Sequence, residues 1–498
     1  MPTFTRRDLL RRLAAGAAAA ALPAVAAAAS SSVPRSGKRP NVLFLYSDDQ
    51  RFNTIHALGN DEIVTPTMDS LARNGVAFTH SFIMGGTQGA ICVASRAMLM
   101  TGESLYRAMS VKDTLFPEAL REAGYATYGI GKWHNGPPAY ARAFSGGADI
   151  FFGGMSDHLK MPVYDFNPAG KYPKANVRTG ERFSSELFSD AAVQFLREFQ
   201  EDKPFFLYVA YTAPHDPRMA PQKDKDMYPP DKISLPPNFM AEHPFDNGDL
   251  KVRDEQLAPW PRTPEVVRRN IAAYYAMITH LDEQMGRVLA ALRETGHAND
   301  TLVIFAGDNG LALGQHGLFG KQNLYEHSAR VPMIIAGPNI PKGQRCDALV
   351  YQFDLCPTIC ELTGTPIPAT VESRSLLPLI RGEQKQTWAT IFGSYRDYQR
   401  MVRDSRFKLI EYYVGADGKG TRKTQLFDIA KDPWELNDLA GDPNYAKELD
   451  RLRTELRAWM EKTDDPLLKP ATPLPTGSRK RVGGKAKKAK AAKSKEGI

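Results

Sequence analysis

Between Pro40 and about Ile380 the chain alternates short, uncharged, mostly apolar runs with stretches of helical pattern. The runs are Val42–Tyr46, Thr127–Ile130, Phe205–Tyr211, Leu302–Ala306 and Pro332–Ile335. A strand that is apolar on both faces must be covered on both, and strands joined through helices come out parallel. The expected fold class is therefore α/β, a mainly parallel sheet sandwiched by helices. The longest helix is expected to open at Thr263 as cap with Pro264 in its first turn. It closes before Gly296, directly ahead of the Leu302 run, which makes a βαβ element. Residues 212–262, rich in Pro and charge, read as a loop excursion of the kind that rims an active site.

The pattern changes after about Arg381. Ala389–Tyr395, Met401–Arg403, Phe407–Tyr413 and Gln425–Asp428 read as short strands of a small antiparallel sheet. Leu449, Leu452, Leu456, Trp459 and Met460 recur at helical spacing and give it one amphipathic helix. The expected organisation is a signal segment at 1–35, a catalytic domain at 38–380, a carboxy-terminal subdomain at 381–465 and a disordered Lys-rich tail at 466–498.

The formal charge of +8 is a property of the chain ends. Arg479–Ile498 holds nine Lys or Arg against one Glu, and Met1–Arg35 holds five Arg against one Asp. Ends of +8 and +4 leave 36–478 near −4, which argues against a nucleic-acid partner. At the amino end, Thr5-Arg6-Arg7-Asp8-Leu9-Leu10 followed by an Ala-rich stretch to Ala29 reads as a twin-arginine signal. Arg11, Arg12 and Pro23 interrupt that stretch and suit it badly to a bilayer span. Export through the twin-arginine machinery to the periplasm or beyond is expected. Four cysteines make no disulfide framework in an exported chain of this size. Cys356 and Cys360 are four apart in an expected helix, Cys346 is expected in a polar loop, and all three read as small hydrophobes.

Ligands of an open parallel sheet bind beyond the carboxyl ends of its strands. Asp48-Asp49 follow the first run, Lys132 and His134 the second, His215 the third, and Asp308-Asn309 the fourth, with His316 and Lys321 shortly after. Singly, each has a plain structural reading: either acidic pair could cap a helix or make a turn, and a lone Lys is most often a solvated charge. Together they form a site. Three Asp and one Asn offer hard oxygen donors that suit Ca²⁺, with Mg²⁺ second, better than Zn²⁺. A divalent cation with Lys and His beside it suits a sulfate or phosphate ester.

The segment Cys92-Val93-Ala94-Ser95-Arg96 closing on Thr101-Gly102 resembles the signature of the formylglycine-dependent sulfatases: Cys or Ser, any residue, Pro or Ala, Ser, Arg, and a final Thr-Gly or Leu-Gly. Ala94 stands where Pro is commoner. The resemblance extends over roughly 38–465 and takes in Gly131-Lys132-Trp133-His134, Pro214-His215-Asp216-Pro217, Gly307-Asp308-Asn309-Gly310, Gly320-Lys321, Leu426-Phe427-Asp428 and Asp432-Pro433. It implies an alkaline-phosphatase-like fold and a maturase that converts Cys92 to formylglycine. It further implies metal ligation by Asp48, Asp49, Asp308, Asn309 and the matured Cys92, and charge compensation by Arg96, Lys132 and Lys321. In the implied mechanism the hydrated aldehyde attacks sulfur, His134 attends the diol, and His215 protonates the departing alcohol. His316 and Arg218 are expected to line the substrate pocket. A sulfated glycan or small sulfate ester is the expected substrate. Two alternatives stay open here: a phosphate or phosphonate monoester hydrolase of the same superfamily, and a non-catalytic polyanion-binding protein using the Lys-rich tail.

Overall fold

The computed structural model describes residues 38–415 and 420–469. The expected export signal at 1–35 and the basic run at 479–498 lie outside the described residues. Among the described residues, no helix is long and apolar enough to cross a membrane.

A nine-stranded sheet forms the centre. Its order is Arg330–Val331, Gly75–Phe82, Met333–Ala336, Thr301–Gly307, Asn41–Ser47, Phe205–Ala210, Ala126–Lys132 and Gly146–Phe151, with Gln344–Tyr351 also pairing to Gly75–Phe82. The run from Thr301–Gly307 to Gly146–Phe151 is parallel, as the interleaved helices require. Met333–Ala336 lies antiparallel to both its neighbours, so the Pro332–Ile335 run is a strand of the expected sheet with the opposite direction. Gly75–Phe82, Gly146–Phe151 and Gln344–Tyr351 are strands beyond those expected. Cys346 belongs to the last of these, beside a break in register, and not to a loop.

Every residue of Asn41–Ser47 is buried, because alternate side chains feed two separate cores. Leu43 and Leu45 join Leu207, Val209 and Phe305 under the long helix Pro264–Glu294 and the helix Ser184–Glu198. Val42, Phe44 and Tyr46 join Phe206, Tyr208 and Ile304 on the opposite face. Thr263 caps the long helix as expected, its side chain accepting from the Val266 backbone N–H. Farther along the same helix, Asp282 accepts the backbone N–H groups of Thr67 and Met68 at 2.8 Å each, closing the start of the helix Pro66–Arg73.

The carboxy-terminal strands Ile391–Tyr395, Gln399–Arg403, Phe407–Tyr413 and Arg422–Asp428 form an antiparallel meander. Helix Ala446–Lys462 packs on it through Leu452, Leu456, Trp459 and Met460. A fifth strand comes from much earlier in the chain: Gly85–Gly86 runs parallel to Ile391–Tyr395, just before the helix that carries Cys92. Gly85 has φ +86°, and a Cβ there would lie 2.1 Å from the Ser394 carbonyl oxygen, so this junction requires glycine. Buried charge makes a second tie. Glu326 pairs with Arg403 at 2.6 Å and Lys408 at 3.1 Å, both on the small sheet, and its backbone N–H donates to Glu435 at 2.9 Å. Burial alone would raise the Glu326 carboxyl, but Arg403 and Lys408 hold it well below the usual carboxylate range.

Candidate active site

The carboxyl ends of the parallel strands converge on one buried cradle. Ser47 and Gly307 are in register, which sets Asp48-Asp49 beside Asp308-Asn309. The Asp49 backbone N–H donates to Asp308 Oδ1 at 3.0 Å, and the Asp308 backbone N–H to the Ser47 carbonyl at 3.1 Å. Lys132 ends its strand and reaches Asp48 Oδ2 at 2.5 Å. Lys321 reaches Asp49 Oδ1 at 2.6 Å, and Asn309 Nδ2 donates to the same oxygen at 2.7 Å. Asp49 and His134 both have φ +63°, a left-handed conformation for which Asp and His are among the more tolerant residues.

Cys92 opens the helix Ile91–Thr101 and is 2% exposed. Its Sγ lies 3.3 Å from His134 Nδ1. One turn along, Arg96 points back into the cradle. It meets Asp308 Oδ2 through Nε and Nη2 at 3.0 Å each, and donates through Nη1 to the Lys132 carbonyl at 2.9 Å and the Tyr208 hydroxyl at 3.3 Å. The guanidinium carbon sits 4.7 Å from the centre of the Tyr46 ring. His215 closes the other side. Nδ1 donates to the Asp216 carbonyl at 2.9 Å, a tautomer assigned from that contact, and Nε2 lies 3.5 Å from Asp49 Oδ2.

Three carboxylates are thus set against three cations with almost no solvent. Burial pushes Asp308 up to about 6, reinforced by Asp48 and opposed by Arg96. Asp49 moves the other way: burial opposes ionisation, but His215, Lys321 and Lys132 outweigh it. The His134 imidazole is pushed down to about 2, by burial first and then by Lys132 and Arg96, so it is neutral. Burial raises the Cys92 thiol, and the pull of Lys132 and Lys321 does not reverse this. A helix amino terminus and nearby lysines are the usual setting of a reactive thiolate. Here they do not produce one.

The donors fit a hard divalent cation. Asp48 Oδ1 and Asn309 Oδ1 are buried with no hydrogen-bond partner among the described residues, a costly arrangement unless something else satisfies them. Ligating atoms of Asp48, Cys92 and Asp308 lie within 4.8 Å of one another, as do those of Asp48, Asp49 and His215.

Cys92, Arg96, Lys132, His134, His215, Lys321, Asp48, Asp49, Asp308 and Asn309 are therefore brought together. Arg218 donates to Asn270 Oδ1 at 3.0 Å, and burial lowers its guanidinium against the opposing pull of Asp216 and Asp49. The structure does not bring His316 into the group. Its ring stacks on Tyr325 at 4.0 Å, its Nε2 lies 3.2 Å from Asn238 Nδ2, and its carbonyl accepts from His243 at 2.8 Å. Several residues support the cradle in ways the sequence pattern does not assign. Tyr46 and Tyr208 lie inside apolar runs and look like core. Asp216 contacts His215 Nδ1 at 3.3 Å and is gripped by Arg253 at 2.6 and 2.8 Å, and His158 Nε2 holds the His215 carbonyl at 3.0 Å. Only the adjacency of Asp216 to His215 offered a signal.

The fold and this strand-end cradle define an enzyme of the alkaline-phosphatase-like superfamily. The family model described as Sulfatase matches residues 40–365, and one described as N-sulphoglucosamine sulphohydrolase, C-terminal, matches 314–462. The chain is 30% identical over 459 residues to a sulfatase of Formosa agariphila, covering 85% of this chain and 87% of that one. It is 29% identical to human N-sulphoglucosamine sulphohydrolase, covering 86% and 91%. A solved structure in complex with its substrate D-glucosamine-2-N,6-O-disulfate is similar at TM-score 0.72 and 24% identity, covering 86% of this chain and 99% of that one. The chain belongs to the sulfatase family, and it is a hydrolase of sulfate esters.

Gly131 aims Lys132 into the cradle. It has φ +80°, and a Cβ there would lie 2.1 Å from the Ala210 carbonyl oxygen on the neighbouring strand. Gly131→Ala should destabilise the fold by at least about 1–3 kcal/mol in urea denaturation and abolish turnover. Wild-type stability and activity in this variant would show that Lys132 is not positioned by this contact.

Proposed function

We propose that the chain removes sulfate esters from a sulfated carbohydrate, using a formylglycine made from Cys92 and a divalent ion, Ca²⁺ before Mg²⁺. The observation that carries this reading is the position of Cys92: a buried, unactivated thiol 3.3 Å from His134, beside three carboxylates and three cations. A thiol raised by burial is a weak nucleophile, whereas the hydrate of an aldehyde would place two hydroxyls at the same point. Ser95 and Arg96 supply the sequence context for a maturase. Support for a carbohydrate comes from the human sulphohydrolase relative and from the neighbour bound to a disulfated glucosamine. Export is part of the proposal and rests on the Thr5–Leu10 segment alone.

Asp48, Asp49, Asp308 and Asn309 would hold the ion. When bound, it would make a hydroxyl of the hydrate more acidic and offset charge on the transferring sulfate. The chain's own groups do the rest. Lys132, Lys321 and Arg96 are fixed by their carboxylate partners and oppose negative charge at sulfur without reorganising. Neutral His134 can accept a hydroxyl proton at Nδ1, where it now faces Cys92 Sγ. His215 engages the Asp216 carbonyl through Nδ1, and in the doubly protonated ring, the form that Asp49 and Asp216 favour against burial, Nε2 would deliver its proton to the leaving oxygen.

Chelated protein should regain activity with Ca²⁺ and less with Mg²⁺, and Asp308→Ala should lose ion and activity together in elemental analysis and assay. Recovery with Zn²⁺ alone would contradict the assignment of hard oxygen ligands. A proton on the leaving group matters most for a poor leaving group. His215→Ala should therefore slow a glycan sulfate by about 10²–10⁴-fold and spare 4-nitrophenyl sulfate much of that loss. Lys132→Ala, acting on charge at sulfur, should slow both. Equal losses for the two substrates in His215→Ala would make His215 a sulfate binder and not the acid.

A further inference from the structure

Away from the cradle, a groove of about 270 Å³ opens between the helix Ala446–Lys462 and the segment before Ile391. Two buried indoles lie beneath it, 4% and 8% exposed. The Trp388 and Trp459 rings lie 5.7 Å apart, tilted at 44°. Both N–H groups are engaged: Trp388 donates to Asp354 at 2.9 Å and Trp459 to Thr390 at 2.8 Å. Two exposed cations stand over them. The Arg374 guanidinium carbon is 3.9 Å from the Trp388 ring centre, and Lys462 Nζ is 4.4 Å from that of Trp459 and 4.9 Å from that of Trp388.

Like charges gathered over one indole repel unless an anion joins them. Among the described residues neither cation has an ion-pair partner, and Arg374 spends one donor on the Thr387 carbonyl at 2.5 Å. Glu372 favours charged Lys462 but is already bound to Arg107 and to the Ser104 backbone N–H. Glu455 also lines the groove, and its carboxylate opposes a bound anion where the two cations favour one. Burial and Arg374 together lower the Lys462 ammonium, which is the response of a cation lacking its counter-charge.

The groove stands apart from Cys92. The Glu372 and Ser373 backbone N–H groups donate to the Gly102 carbonyl at 2.9 and 3.0 Å, and Gly102 closes the 11-residue helix that Cys92 opens. Arg374 thus follows the far end of a helix about 16 Å long.

We propose that this groove is a second glycan subsite, in which Arg374 and Lys462 bind the sulfate or carboxylate of an acidic sugar unit remote from the ester being cleaved. The indoles are buried beneath the two cations, which they hold in place, and the guanidinium and ammonium offer their exposed donors to an oxyanion. The inference rests on the sulfated-carbohydrate reading of the active site and extends it to a polymer held at two points.

Hydrogen exchange of the full chain with a sulfated octasaccharide tests this residue by residue. Protection is expected at 386–390 and 455–462 as well as around Cys92. The Arg374→Gln/Lys462→Gln double variant, which keeps the cover over the indoles and removes the charge, should lose the first and keep the second. An octasaccharide stripped of sulfate but retaining its carboxylates separates the two anions: groove protection that persists assigns the carboxylate, and protection that disappears assigns the sulfate. Protection around Cys92 with none at the groove in the wild-type chain would overturn the subsite and leave the active-site reading standing. Groove protection without protection around Cys92 would support the subsite and remove the carbohydrate from the active-site reading.

Discussion

Burying three carboxylates in one cradle is among the most expensive things a fold can do, since each ion loses several kcal/mol of hydration. The structure is organised around offsetting that loss. Asp48 meets Lys132, Asp49 meets Lys321 and Asp308 meets Arg96, each pair contributed by separate parts of the chain. The parallel sheet makes the meeting possible, because strands in register deliver their next residues to the same place. Removing any one cation would leave a buried charge without its partner. The arrangement that offsets the buried carboxylates therefore also fixes three positive charges around one point.

Much of this was legible in the sequence, and the reason is local. Asn41–Ser47, Phe205–Ala210 and Thr301–Gly307 are buried on both faces, so they read as continuous apolar runs, and the residue after each run is fixed in space by the strand itself. Asp48, Asp49, His215, Asp308 and Asn309 could be listed on that ground alone. The strands Gly75–Phe82 and Gly146–Phe151 were less legible, because the first carries Thr79 and His80 and the second opens on Gly146-Gly147. Direction was not legible at all for Met333–Ala336, since periodicity carries no sense of parallel or antiparallel.

Side-chain partnerships across long separations were the part the sequence hid. Arg253 grips Asp216 from within the 212–262 excursion, where no period marks one arginine from another. Tyr208 supports Arg96 from inside a strand that reads as pure core. His316 lies close in sequence to Lys321, yet its ring contacts Tyr325 and Asn238 and stands outside the cradle. The excursion is nonetheless where His215, Arg218 and Arg253 come from, which is how a loop on a rigid sheet tunes a site without altering the scaffold.

The central claim is that the nucleophile at position 92 is an aldehyde hydrate and not a thiol. Mass spectrometry of the peptide containing residue 92, taken from preparations of graded specific activity made with and without a maturase, tests it most directly. The account predicts that activity rises in proportion to the fraction of Cys92 converted to formylglycine and vanishes in its absence. Full activity from protein carrying only the unmodified thiol would contradict it.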